Sequence, residues 1–228
     1  MVAIENADTN SIDRIQQNVL ARGERRLLTW LCARLPGWVT PDQLTGVGMV
    51  GALMVFGGYL ASNLGDHWLW LTIAGYLIHW FGDSLDGSLA RFRHIERPRY
   101  GYFLDHSCDG LATTLVLMGI GLSNYVLMEV ALVALAGYLL LSIHAFLLVR
   151  VLGELKLSYA YAGPTELRLL LIAITLGMIV AGPEPVFLET FTWFDLVVGP
   201  IGLLLIVFYV IQTLRTANRL GIEEPPRR

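Results

Sequence analysis

Asp83 and Asp86 stand three residues apart, and Asp105 and Asp109 stand four apart. On helices, both spacings put the two carboxylates of a pair on one face. Four carboxylates gathered in one place repel each other unless cations neutralise them. All-oxygen ligation suits hard divalent cations such as Mg²⁺ or Mn²⁺. Two such ions could grip a diphosphate and stabilise both the attacking and the leaving oxygen of a phosphoryl transfer. Gly87 and Ala90 lie one turn apart after the first pair and leave a flat helical surface where a polar ligand can approach. Arg91 ends the same segment and suits phosphate oxygens.

The elements that must position these groups are apolar. The 228 residues are 55% hydrophobic and 15% charged, with a mean hydropathy of +0.58. Soluble domains carry about 25% charged residues, so the composition excludes the soluble class. The net charge of −3 says little about partners. Six stretches run approximately from Gln43 to Ser62, His67 to Arg91, Gly101 to Leu122, Tyr125 to Val149, Ala160 to Val180 and Phe194 to Thr213. Each is close to the ~20 residues a helix needs to cross a bilayer, and backbone in hydrocarbon must satisfy its own hydrogen bonds. The expected fold is all-α and polytopic, with six transmembrane helices. The acid pairs fall on the second and third, joined by a loop of about ten residues.

The 16 basic residues fall in the N-terminal segment, the second and fourth connections, the start of span five and the C-terminal tail. None lies in the first, third or fifth connection. The positive-inside rule then makes both termini cytoplasmic and puts the acids at the inner face. Arg93, Arg97 and Arg99 are explained by topology, with a contact to an anionic acceptor as the alternative. A basic nucleic-acid patch is absent, because the arginines map to the membrane surface. Ile12 to Leu35 reads as an N-terminal interfacial amphipathic helix, with Ile15, Val19, Leu20, Leu27, Trp30, Leu31 and Leu35 as its apolar stripe; a solvated leader helix is the alternative. Trp38, Trp68, Trp70, Tyr125 and Trp193 read as interface anchors. No cleavable signal peptide is expected. Cys32 and Cys108 are expected to be free thiols.

The segment from Asp83 to Asp109 resembles the signature of the CDP-alcohol phosphotransferase family, D-x-x-D-G-x-x-A-R, a spacer, then G-x-x-x-D-x-x-x-D. Asp83, Asp86, Gly87, Ala90, Arg91, Gly101, Asp105 and Asp109 occupy all eight fixed positions. Pro41-Asp42-Gln43-Leu44-Thr45 is similar to a Pro-Asn-x-x-Thr that precedes span one in the family, with Asp42 in place of asparagine. The resemblance implies an inner-membrane enzyme with its active site facing the cytoplasm. It would transfer a substituted phosphate from a CDP-linked donor to a lipid or small alcohol acceptor and release CMP, using two divalent cations, Mg²⁺ or Mn²⁺. It implies Asp83, Asp86, Asp105 and Asp109 as metal ligands, Asp109 also as a possible base, and Thr45, Gly87, Ala90, Arg91 and Gly101 as donor-binding positions. A homodimer is implied as well. The expected organisation is a cytoplasmic or interfacial segment at 1–40, a six-helix domain at 41–216 and a tail at 217–228.

The expected donor is CDP-diacylglycerol. The alternative is head-group transfer from CDP-choline or CDP-ethanolamine onto a lipid alcohol. Asp105-His106-Ser107-Cys108-Asp109 is similar to the D-H-G-C-D of that second branch, which makes His106 a candidate general base. Tyr102 replaces a glutamate found there. Gly163-Pro164-Thr165-Glu166 resembles a segment of plant members, and Glu166 is either an interfacial charge or part of a pocket. Among the other histidines, His79 reads as a packed, hydrogen-bonded residue, with support of the acids as the alternative, and His144 is placed to bond a neighbouring helix. His67 and His94 belong to the surface. A membrane transporter is the reading from another class, disfavoured because the acids cluster toward one face.

Overall fold

The computed structural model describes residues 21–152 and 164–224. These hold seven α-helices and no strand beyond an isolated bridge between Phe187 and Phe191, as the all-α expectation requires. The start of the expected interfacial helix at Ile12, Gly163, Lys156 and the last four residues lie outside the described residues. The helices are α1 (Ala21–Cys32), α2 (Pro41–Ala61), α3 (Leu69–Phe92), α4 (Pro98–Leu122), α5 (Met128–Leu152), α6 (Pro164–Ala181) and α7 (Asp195–Glu223). Three segments of the described residues are long and apolar enough to cross a membrane: Pro41–Leu64, Met128–Leu152 and Asp195–Glu223.

Helix α2 begins at a capping box. Gln43 N donates to Thr40 Oγ1 at 3.2 Å and Thr40 N to Gln43 Oε1 at 2.9 Å, with Pro41 preset for the first turn. It then packs against α3 through small residues. A Cβ on Gly82 would collide with Gly48 N and Leu44 O, and one on Gly51 with His79 N. The two backbones therefore touch, as helices do in lipid, where close packing rather than water exclusion drives association. This contact sets how near α3 brings its acids to α2.

Helix α3 ends at Phe92 with Arg93 as its C-cap, His94 follows at φ 55, and Pro98 opens α4. The connection is thus five residues, Arg93 to Arg97, and not the expected ten. A proline at the first helical position lets Arg99 and Tyr100 join α4 ahead of Gly101. Arg93 is more than a topological charge. Its guanidinium donates to the carbonyls of Leu35 (3.1 Å), Pro36 (2.9 Å) and Val39 (2.5 Å), and so holds the α1–α2 connection against the end of α3. Arg97 pairs with Asp42 at 2.5 Å, and that hydrogen bond raises the arginine's pKa further. This pair is solvent-exposed and worth little to stability.

The opposite end is held by neutral and acidic groups. Asn63 Nδ2 donates to Leu122 O at 2.8 Å, and Tyr125 OH to Asp66 Oδ1 at 2.7 Å. Tyr125 is 1% exposed, so it is a buried strut and not the expected interface anchor. Between the two ends, Tyr59 OH links α2 to Thr175 of α6 at 2.7 Å and to Tyr76 of α3 at 3.2 Å. A larger apolar cluster (Val55, Leu69, Ile120, Met178, Phe194) surrounds that network. A smaller one (Cys32, Leu44, Leu85, Leu89) seats α1 beneath the acid-bearing end. Helix α7 runs ten residues past its expected end at Thr213.

Candidate active site

The acids lie on α3 and the first half of α4, toward the end that carries Arg93 and Arg97. Asp86 Oδ2 accepts the Thr45 hydroxyl of α2 at 2.6 Å, and Asp86 Oδ1 accepts the Gly87 amide. Asp83 forms an ion pair with Arg168 of α6; the two side chains are 22% and 12% exposed. Asp109 sits beside both Asp83 and Asp105, so the acids of α3 and α4 face one another. The oxygens of Asp105 and Asp109 and a ring nitrogen of His106 lie within 4.8 Å of one another.

His106 is fixed on three sides. Its Nδ1 is 3.1 Å from Asp105 Oδ2, and its ring lies 4.2 Å from Tyr102 and 5.2 Å from Phe146 of α5, centroid to centroid. Nδ1 and Nε2 are both buried with no hydrogen-bond partner among the described residues. Thr45, Gly48, His79, Asp83, Asp105 and Cys108 line a narrow crevice that opens beside these groups. Ala90 is half-buried. A Cβ on Gly87 would face the Arg91 guanidinium at 3.3 Å, and Gly101 opens onto free space. Arg91 Nη2 donates to Ser88 Oγ at 3.3 Å.

The donor set is four carboxylates with one imidazole, which fits a hard divalent cation. The orphaned His106 nitrogens and the converging oxygens of Asp105 and Asp109 give that fit its location. Asp83 and Asp86 could join the shell, although each already has a partner on another helix.

Three residues had no signal in the motif. Arg168 reads in sequence only as a basic residue near a span end, yet it neutralises Asp83. Tyr138 of α5 stands near Thr113 and Asp109. Glu24 of α1 accepts from Trp80 Nε1 at 3.0 Å and from Thr165 Oγ1 at 2.7 Å, and so ties α1 to α3 and α6 beside the acids. A polar residue on the apolar stripe of α1 is the only hint available for Glu24. His79 lies near Asp83 and Arg168. His144 is buried, 3.4 Å from Thr213 of α7. Glu166 is half-buried.

The profile of the CDP-alcohol phosphatidyltransferase family matches residues 38–211, a range that contains α2 to α6 and most of α7. The chain belongs to this family. Known members of the family resemble it in part. Cholinephosphotransferase 1 of Danio rerio is 31% identical over 96 residues, which are 40% of this chain and 25% of that protein. Archaetidylinositol phosphate synthase of Pyrococcus horikoshii is 31% identical over 104 residues, 46% of this chain and 52% of that protein. Phosphatidylinositol phosphate synthase of Cutibacterium acnes is 34% identical over 92 residues, 40% of this chain and 41% of that protein. The matches thus span between a quarter and about half of the length of these relatives.

Proposed function

We propose that this family member is a membrane transferase that moves a substituted phosphate from a CDP-linked donor to an alcohol and releases CMP. The observation that carries the reading is the meeting of Asp83, Asp86, Asp105 and Asp109 beside a half-buried histidine, in a chain whose motif and family profile agree. The chain crosses the membrane six times, with both termini and the acid site on the cytoplasmic side and α1 lying in the interface. The grouping of Arg93, Arg97 and the acids at one end supports that orientation. The 41–216 segment forms the catalytic domain between the 1–40 segment and a 217–228 tail, and the enzyme works as a homodimer, as the family resemblance implies.

Asp83, Asp86, Asp105 and Asp109 would hold two divalent cations, Mg²⁺ or Mn²⁺, which supply charge stabilisation to the diphosphate. Thr45 orients Asp86. Arg91 reaches a phosphate oxygen, and the small Gly87, Ala90 and Gly101 leave room for the nucleotide. Asp109 or His106 accepts the proton of the acceptor hydroxyl. The acceptor oxygen then bonds to the phosphorus that bears the alcohol substituent, and the bond from that phosphorus to CMP breaks.

CDP-diacylglycerol with a small hydroxylic acceptor is one donor class. The fixed position of His106, and the similarity to cholinephosphotransferases, favour the second reading, in which a CDP-linked head group is delivered to a lipid alcohol. The test is a cross of radiolabelled CDP-diacylglycerol, CDP-choline and CDP-ethanolamine against serine, glycerol phosphate, inositol phosphate and diacylglycerol, with purified protein in detergent and Mg²⁺ or Mn²⁺. At least one pair should release CMP in a metal-dependent way. The absence of CMP from every pair, or an unchanged rate in Asp105→Asn and Asp109→Asn, would overturn the reading.

A further inference from the structure

Asp83 and Arg168 are bound to each other from helices 85 residues apart in sequence, and both side chains are mostly out of solvent. An arginine keeps its charge in any protein setting and cannot be neutralised to leave. Asp83 is also one of the acids that suit a divalent cation, so one carboxylate has two claimants. A guanidinium and a divalent cation on the same carboxylate repel strongly where little water screens them. A cation held by Asp83 would therefore loosen Arg168.

The backbone that carries Arg168 is anchored independently of the ion pair. Three residues before it, Thr165 Oγ1 donates to Glu24 of α1 at 2.7 Å, and two turns after it Thr175 bonds Tyr59 of α2 at 2.7 Å. Helix α6 stays in place, and only the arginine side chain has freedom to move, within the reach of its own rotamers. A displaced guanidinium beside the acid site needs an anion. Arginine's planar fork matches phosphate oxygens in two-pronged geometry.

We propose that Arg168 competes with the divalent cation for Asp83, and that the guanidinium displaced in this competition binds a phosphate of the CDP-linked donor. The inference rests on the transferase reading of the acid site. It makes Arg168 a substrate-binding residue whose grip on the donor depends on metal loading.

The experiment uses the full chain in detergent, without turnover. Mn²⁺ affinity is measured from the free-ion electron paramagnetic resonance signal, and CDP affinity by equilibrium dialysis at saturating Mn²⁺. In Arg168→Gln the Mn²⁺ dissociation constant should fall about tenfold and the CDP constant rise about tenfold, the size of one charged hydrogen bond. Arg168→Lys keeps the charge but loses the fork, and should move both constants in the same directions by about threefold. It carries the test alone if Arg168→Gln does not fold. Unchanged or weaker Mn²⁺ binding, or unchanged CDP binding, would show Arg168 to be a strut between α3 and α6 and overturn the proposal. If the unaltered protein binds neither Mn²⁺ nor CDP, the transferase reading falls with it. If it binds both and the variants match it, only the role of Arg168 falls.

Discussion

Thr45 Oγ1 donates to Asp86 Oδ2 at 2.6 Å, a bond that crosses from the first turns of α2 to the acid-bearing turn of α3. The same hydroxyl lies 3.3 Å from Pro41 O, but it has a single proton, and the shorter, charged partner takes it. The threonine of the Pro-x-x-x-Thr segment thus holds the second acid of the motif in one rotamer, with the Gly87 amide holding its other oxygen.

Thr45→Val keeps the shape and removes the donor. Asp86 would then sample more rotamers, and metal loading should need about tenfold more Mg²⁺, the worth of one hydrogen bond to a charged group. The measurement is initial CMP release against Mg²⁺ concentration. Thr45→Ser should follow the unaltered protein. A valine variant with unchanged metal dependence would remove Thr45 from the site.

Glycines in and near the motif should separate by what a methyl group would meet. At Gly82 it would overlap the backbone of α2, so Gly82→Ala must push α2 and α3 apart. That change should lower stability by about 1–3 kcal/mol and abolish activity by drawing Asp86 from Thr45. At Gly101 nothing lies within 4 Å, so Gly101→Ala should unfold at the same temperature as the unaltered protein. A rise in donor KM without a shift in melting would then assign Gly101 to ligand binding. Thermal unfolding in detergent and steady-state kinetics distinguish the two cases.

The acids were legible because the spacings of three and four residues act within single helices, where sequence and geometry are tied. Span ends on α2, α3 and α5 were legible to within about three residues, because apolar runs and caps are local. The partners of the acids were not. Arg168 lies 85 positions from Asp83, Thr45 lies 41 from Asp86 and Glu24 lies 56 from Trp80. Side-chain bonds between helices leave no periodic trace in either segment. Arg93 misled for another reason: positive-inside statistics explain any arginine in that connection, so they hid the one that binds three backbone carbonyls of the α1–α2 connection at 3.1 Å or less.

His106 and Asp109 are the two candidates for the base that takes the acceptor proton. Its ring is held by Tyr102, Phe146 and Asp105, so His106→Asn leaves a cavity but keeps a polar group. If the imidazole takes the acceptor proton, kcat should fall about 100-fold or more, the usual scale of base catalysis, with donor KM nearly unchanged. If Asp109 is the base, the loss should stay below about tenfold, and Asp109→Asn should carry the larger effect. The kcat and KM of both variants, with the best donor from the substrate cross, decide between them.

Asp195 offers the control for changes that act on folding alone. It is 3% exposed and lies at the end opposite the acids. Its Oδ1 accepts Leu127 N at 2.8 Å and its Oδ2 accepts Thr192 N at 2.8 Å, while Thr192 Oγ1 accepts Asp195 N at 3.2 Å. The reciprocal pair closes the turn that leads into α7, and the bond to Leu127 ties that turn to the α4–α5 connection. Asp195→Asn turns one acceptor into a donor that faces a backbone N–H. It should cost about 1–3 kcal/mol, the penalty of an unmet buried group, and lower the melting temperature. Well below that temperature, kcat, donor KM and Mg²⁺ dependence should match the unaltered protein. A change in metal dependence without a change in melting would mean that the two ends of the bundle are coupled, and that the effects of Thr45 and Gly82 variants cannot be assigned to the acid site alone.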